Sequence, residues 1–164
     1  MDQRYYLAAI AEHPALGPMR LGELARLCRG DWERLWKKDP PGISQELTGY
    51  LSRVRETVSP QKLADELAER DVRLILADDP EFPPLLKEIP APPVHLYVRG
   101  NVRSLQHPAL VALVGTRRIT SYGKGVADFL VERLVGAGCA TVSGLALGVD
   151  AAIHRVTLEQ KGIT

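Results

Sequence analysis

The sequence predicts an α/β protein: a small N-terminal helical domain followed by a truncated Rossmann-like parallel-sheet domain. Three observations carry this expectation. Residues 2–70 place apolar side chains at helical spacing in short stretches divided by Pro- and Gly-rich links. Ala109 to Val114 is an unbroken apolar run, as expected of a strand buried on both faces of a parallel sheet. Glycine-containing segments follow this strand and a second one, at Gly115 and at Ser143-Gly144, and each leads into a helix.

The helical part, 1–70, reads as five short helices. Tyr6, Leu7 and Ile10 form one apolar stripe, and Leu21, Leu24, Leu27 and Cys28 form a second. Asp31 is placed to cap a helix carrying Trp32, Leu35 and Trp36, and Ser44 to cap one carrying Leu47, Tyr50, Leu51 and Val54. Ser59-Pro60 opens the fifth, with proline at the first helical position. Such a module either mediates contacts with proteins or DNA backbones or is a structural appendage.

Residues 71–108 read as a connector. Val72 to Leu76 suits a short strand, Leu85-Leu86 a single helical turn, and Val94 to Val98 another strand after Pro90, Pro92 and Pro93. Residues 109–164 then alternate strand, helix, strand, helix. Val126, Phe129, Leu130 and Leu134 mark the core face of the first helix, which Gly136 and Gly138 end. Ala140 to Val142 is the second strand. Asp150 opens the last helix, with Ile153, Val156 and Leu158 on its apolar face, and Gly162-Ile163-Thr164 turns toward a third strand. Two full strands would leave apolar edges open, so the expectation is a fragment, or a sheet completed by another chain.

Composition excludes several classes. The chain has 164 residues, 45% of them hydrophobic and 25% charged, the ordinary balance of a globular protein. No apolar run approaches the ~18–20 residues that span a bilayer. The start lacks a signal-peptide pattern, which makes the cytoplasm the expected location. Cys28 and Cys139 have no metal-ligand neighbours at short spacing and read as buried, reduced thiols. No metal or cofactor is expected. Net charge is +1, so overall electrostatics does not announce nucleic acid. Local clustering says more: Arg117, Arg118 and Lys124 fall together around one strand-to-helix turn.

That turn, Val114-Gly115-Thr116-Arg117-Arg118, runs through Thr120, Ser121, Tyr122, Gly123 and Lys124 into a helix. A strand, a glycine turn and a helix N-terminus form an anion site, because free N–H groups and the helix dipole both favour negative charge. Gly115 would let the backbone approach a ligand, Arg117 would grip a phosphate with two hydrogen bonds, and Thr116, Thr120 and Ser121 would add hydroxyls. The G-x-G-x-x-G spacing is missing and no acidic residue ends the second strand, which argues against a dinucleotide. The second motif, Val142 to Asp150, leaves the same sheet edge, so Ser143 and Gly144 should share the crevice with Arg117. Asp150 is expected to cap its helix. His154, one turn on, could pair with it, either structurally or as an acid–base couple.

Together, Val-Ala-Leu-Val-Gly-Thr-Arg at 111–117, Thr120, Tyr122-Gly123 and Val-Ser-Gly-Leu-Ala-Leu-Gly-Val-Asp-Ala-Ala-Ile-His at 142–154 resemble the signature blocks of the DNA-processing protein A (DprA/Smf) family. Asp79 to Leu86, Pro92-Pro93 and Leu96 to Asn101 resemble its connector, and the helical module is similar to its sterile-alpha-motif-like domain. Thr116 stands where serine is common, and Phe82 where tyrosine is common. The resemblance implies a non-enzymatic single-stranded DNA-binding recombination mediator of natural transformation. It also implies loading of the RecA recombinase, relief of the block by single-strand-binding protein, and a homodimer. It places DNA contacts on Gly115, Thr116, Arg117, Ser143 and Gly144, to which Arg118, Thr120 and Lys124 would add electrostatic and hydroxyl contacts. Further contacts and the dimer surface would lie after residue 164, so this segment alone should bind DNA weakly. The competing reading is a Rossmann-like nucleotide-processing enzyme akin to the phosphoribohydrolases, whose proline–glycine–glycine stretch is not found here.

Overall fold

A computed structural model describes all residues, 1–164, as two compact units, Met1–Val102 and Arg103–Thr164.

In the first unit the five expected helices are present: α1 (Arg4–Ala11), α2 (Pro18–Cys28), α3 (Trp32–Lys37), α4 (Gln45–Thr57) and α5 (Pro60–Glu69). Three of their starts are set by the capping residues read from the sequence. The Asp31 carboxylate accepts from the Arg34 N–H, the Ser44 hydroxyl from the Leu47 N–H and the Ser59 hydroxyl from the Lys62 N–H. The core joins Leu7, Ile10, Leu21, Leu24, Trp32, Leu35, Leu47 and Leu51.

The strands β1 (Arg73–Leu76) and β2 (His95–Val98) pair antiparallel, Arg73 opposite Val98 and Leu76 opposite His95. A short helix, α6 (Pro84–Lys87), lies between them in sequence. This segment is integral to the helical unit. Leu76 and Val94 pack on the helical core, and the Arg4 guanidinium donates to the Leu74 carbonyl at 2.7 Å. The connector foreseen at 71–108 is thus mostly a two-stranded layer of the first unit, because its apolar residues fill the surface the helices leave.

The second unit runs β3 (Leu110–Ala112), α7 (Ser121–Gly136), β4 (Ala140–Val142), α8 (Val149–Glu159). β3 and β4 are parallel, with Leu110 opposite Ala140 and Ala112 opposite Val142. After α8 the chain returns beside β4, where the Ile163 carbonyl accepts from the Thr141 N–H at 2.9 Å. The core is Ala127 and Val131 of α7 against Ala152, Ile153 and Val156 of α8.

Three expectations are corrected here. β3 is shorter than 109–114 and is not buried on both faces: Leu110 and Val111 are half-buried, Ala112 is exposed, and Val114 beyond the strand is 78% exposed. The stripe of Val126, Phe129 and Leu130 is not the core face of α7; these side chains are exposed, and Ala127 and Val131 are buried instead. α7 is apolar nearly all round, so periodicity alone could not tell which side meets α8. Leu158 likewise faces outward, 64% exposed. No helix is long and apolar enough to cross a membrane.

Candidate nucleic-acid interface

Because β3 and β4 are parallel, both chains leave the sheet at the same edge. From β3 the chain enters α7 through residues 113–120, and from β4 it enters α8 through residues 143–148. Two hydrogen bonds stitch these exits together. The Ser143 hydroxyl donates to the Leu113 carbonyl at 2.6 Å, and the Val149 N–H donates to the Thr116 carbonyl at 3.1 Å.

Two glycines permit the contact. A Cβ on Gly115 would lie 2.7 Å from the Val149 side chain. Gly148 has φ +86°, and a Cβ there would lie 2.3 Å from the Thr116 carbonyl oxygen and 2.6 Å from the Arg117 carbonyl carbon. The close approach that the sequence assigned to a ligand at Gly115 is therefore made by Val149. The structural importance of Gly148 and Val149 was missed in the sequence. Its available signal was a glycine directly before a helix that has no capping side chain.

The cations of the motif face outward. Arg117, Arg118 and Lys124 are exposed. Their ammonium and guanidinium groups meet no carboxylate; the ion pairs of this unit join Arg155 to Asp128 and Glu159 instead. The Thr116 hydroxyl oxygen accepts from the Arg118 N–H at 3.1 Å, which curls the loop. Thr120 is the N-cap of α7, its hydroxyl accepting from the Gly123 N–H at 3.1 Å. Each hydroxyl thereby organises the backbone and keeps its own hydrogen for an outside acceptor. Ser143 differs, since its hydrogen is committed to Leu113. The N–H groups of Thr116, Arg117 and Gly144 reach no protein acceptor. Beside the loop, Leu113, Val114, Tyr122, Val126, Leu130 and Val149 line an apolar hollow of about 290 Å³.

The acidic group of the second motif does not do what its position suggested. Gly148, not Asp150, is the N-cap residue of α8. Asp150 is 6% exposed and turns back beneath the preceding loop. Its Oδ2 accepts from the Ala146 N–H at 3.4 Å and lies 3.0 Å from where a Gly144 Cβ would stand. Its Oδ1 is buried without a partner. Asp150 and His154 do not pair. His154 Nδ1 instead lies 2.6 Å from the Thr164 hydroxyl, in a chain that continues through Thr141 to Thr157. No His/Cys/Asp/Glu group is arranged to hold a metal. Cys28 is buried and Cys139 half-buried, and both are free thiols.

The site thus combines outward cations and undirected donors on a loop held from behind. The family model described as DNA recombination-mediator protein A matches residues 73–164. Protein Smf of a Synechocystis species is 31% identical over 99% of this chain and 43% of its own length. The DNA processing protein DprA of Bacillus subtilis is 30% identical over 79% of this chain and 48% of its own. The X-ray structure of DprA from Streptococcus pneumoniae superimposes with a TM-score of 0.76 at 23% identity, covering 97% of this chain and 55% of that one. The chain spans less than half the length of these two curated relatives. By the match of the family model over more than half its residues, the chain belongs to the DNA recombination-mediator protein A family.

Proposed function

We propose that this chain carries the phosphate-gripping part of a single-stranded DNA-binding recombination mediator acting in natural transformation. The observation that carries the reading is the set of unpaired, exposed cations Arg117, Arg118 and Lys124 around the N-terminus of α7, beside N–H groups with no protein acceptor. The dipole of a 16-residue helix adds to their field. Arg117 grips a phosphate, Thr116 and Thr120 donate their hydroxyl hydrogens, and the Gly144 N–H donates from the second exit. Gly115 and Ser143 act from behind, holding the loops in register. Arg118 and Lys124 supply longer-range attraction.

On this reading the protein is not an enzyme. It works in the cytoplasm, as a homodimer, coating incoming strands, relieving the block by single-strand-binding protein and loading the RecA recombinase. Family membership supports the setting.

The test is Arg117→Ala and Arg117→Glu in the full chain, with binding of a labelled 30-nucleotide oligo(dT) followed across salt. Each phosphate contact on a single strand contributes about 0.7 to the slope of log K against log salt, so Arg117→Ala should flatten the slope by about that much. Arg117→Glu should weaken binding further. Unchanged affinity and slope in both variants would remove Arg117 from the site.

A further inference from the structure

The first unit carries a second group of cations that the motif reading left unused. Residues 26–38 include Arg26, Arg29, Arg34, Lys37 and Lys38 against Asp31 and Glu33 only. Lys37 is neutralised by Glu33 at 2.6 Å. Arg29, Arg34 and Lys38 are exposed and meet no carboxylate or carbonyl. They line one groove of about 410 Å³ between the end of α2 and the segment after α3, floored by Leu27, Cys28 and Leu35. The acid in that groove, Asp39, is already occupied by Arg55 at 2.7 Å, and the same guanidinium nitrogen donates to the Leu35 carbonyl at 2.6 Å. The groove therefore presents three positive charges with no internal counter-charge.

The placement of Arg29 strengthens the case. It ends α2 in the left-handed conformation, φ 54°, directly before Gly30 at φ 76°. Glycine is the residue that adopts such a C-cap without strain, and an arginine there is held against its backbone preference. Its side chain caps no helix carbonyl.

We infer that this groove is a second binding surface for a nucleic-acid phosphate backbone, separate from the α7 site, and that its natural occupant is single-stranded DNA. Three adjacent cations on an apolar floor suit successive phosphates of a flexible strand, with Arg29 and Arg34 able to make two-pronged contacts. The groove makes the helical domain a participant in binding rather than an appendage.

The test is the triple variant Arg29→Ala/Arg34→Ala/Lys38→Ala in the full chain, alone and combined with Arg117→Ala, using labelled oligo(dT) and duplex of equal length from 50 to 200 mM salt. Loss of three contacts should lower the single-strand salt slope by about 2. It should weaken binding at least tenfold at 50 mM, additively with Arg117→Ala. A triple variant that binds like the parent while Arg117→Ala still weakens binding overturns the groove and leaves the α7 site standing. An effect confined to duplex overturns the choice of occupant. If Arg117→Ala is silent and the triple variant is not, the groove stands and the α7 assignment falls. Arg29→Gly separates binding from folding: it should keep or raise the melting temperature while weakening single-strand binding. A lower melting temperature with no separate loss of affinity in the folded protein overturns the role given to Arg29.

Discussion

Replacing Gly148 by alanine should disrupt the second unit without substituting any residue proposed to contact DNA. The residue has φ +86° and ψ −123°, a region that L-residues rarely enter. Forcing alanine into it costs about 1–3 kcal/mol. The new Cβ would also stand 2.3 Å from the Thr116 carbonyl oxygen, against the 3.0 Å below which Cβ atoms essentially never approach. The obstacle is backbone, which cannot rotate away as a side chain can, so overpacking adds about 1–3 kcal/mol. A total of about 2–6 kcal/mol should lower the melting temperature of this unit by about 10 °C or more. Trp32 and Trp36 both lie in the first unit, so tryptophan fluorescence does not report this event; amide hydrogen exchange in α7 and α8 does. Gly125→Ala is the control. It lies inside α7 with no atom within 4 Å of its added Cβ, and it should stabilise by about 0.5–1 kcal/mol. If Gly148→Ala keeps the exchange protection of the parent, the two exit loops are not locked together as described.

Other consequences follow from single residues. Thr157→Val removes a hydroxyl that donates to the Ile153 carbonyl at 2.8 Å and meets the Thr141 hydroxyl at 2.9 Å in a buried setting; it should cost about 1 kcal/mol in urea unfolding, and a neutral result would mean that this bond carries no net stability. His95 is half-buried, its Nδ1 is buried without a partner, and burial holds its imidazole below the usual 6.5. The folded state therefore binds fewer protons than the unfolded one. Its stability is fully present above about pH 6.5 and falls as pH drops below that value. His95→Phe should flatten this dependence for the first unit, followed by tryptophan fluorescence between pH 7 and 5; an unchanged slope would acquit His95. Ser44→Ala deletes the cap on Leu47 N–H and should destabilise α4 by about 1 kcal/mol, read in the same fluorescence assay.

Legibility in the sequence tracked how local each signal was. The caps at Asp31, Ser44 and Ser59 needed only a polar residue beside an apolar helical stripe, and all three are made. The parallel strands and their glycine exits were legible because strand runs and turn residues announce themselves within a few positions. What depended on distant partners was not. The pairing of β1 with β2 joins residues about twenty positions apart. The buried side of α7 was undecidable because Val126, Phe129 and Leu130 are as apolar as Ala127 and Val131. In the candidate site, the outward position of Arg117, Arg118 and Lys124 agrees with their type and spacing, whereas the internal contacts of the small residues were not legible. Gly115 accommodates Val149, Gly148 accommodates a backbone carbonyl, and Ser143 gives its hydrogen to Leu113. Asp150 looked like a helix cap, but a loop folded over it and took the carboxylate instead.

The central claim is that single-stranded DNA meets this chain at the two joined exits of the parallel pair. Amide chemical-shift mapping with oligo(dT) at low salt tests it most directly. The account predicts the largest shifts at Thr116, Arg117, Ser121 and Gly144, abolished at the first two and reduced at the others by Arg117→Ala. Saturating binding that leaves these amides unmoved would contradict it.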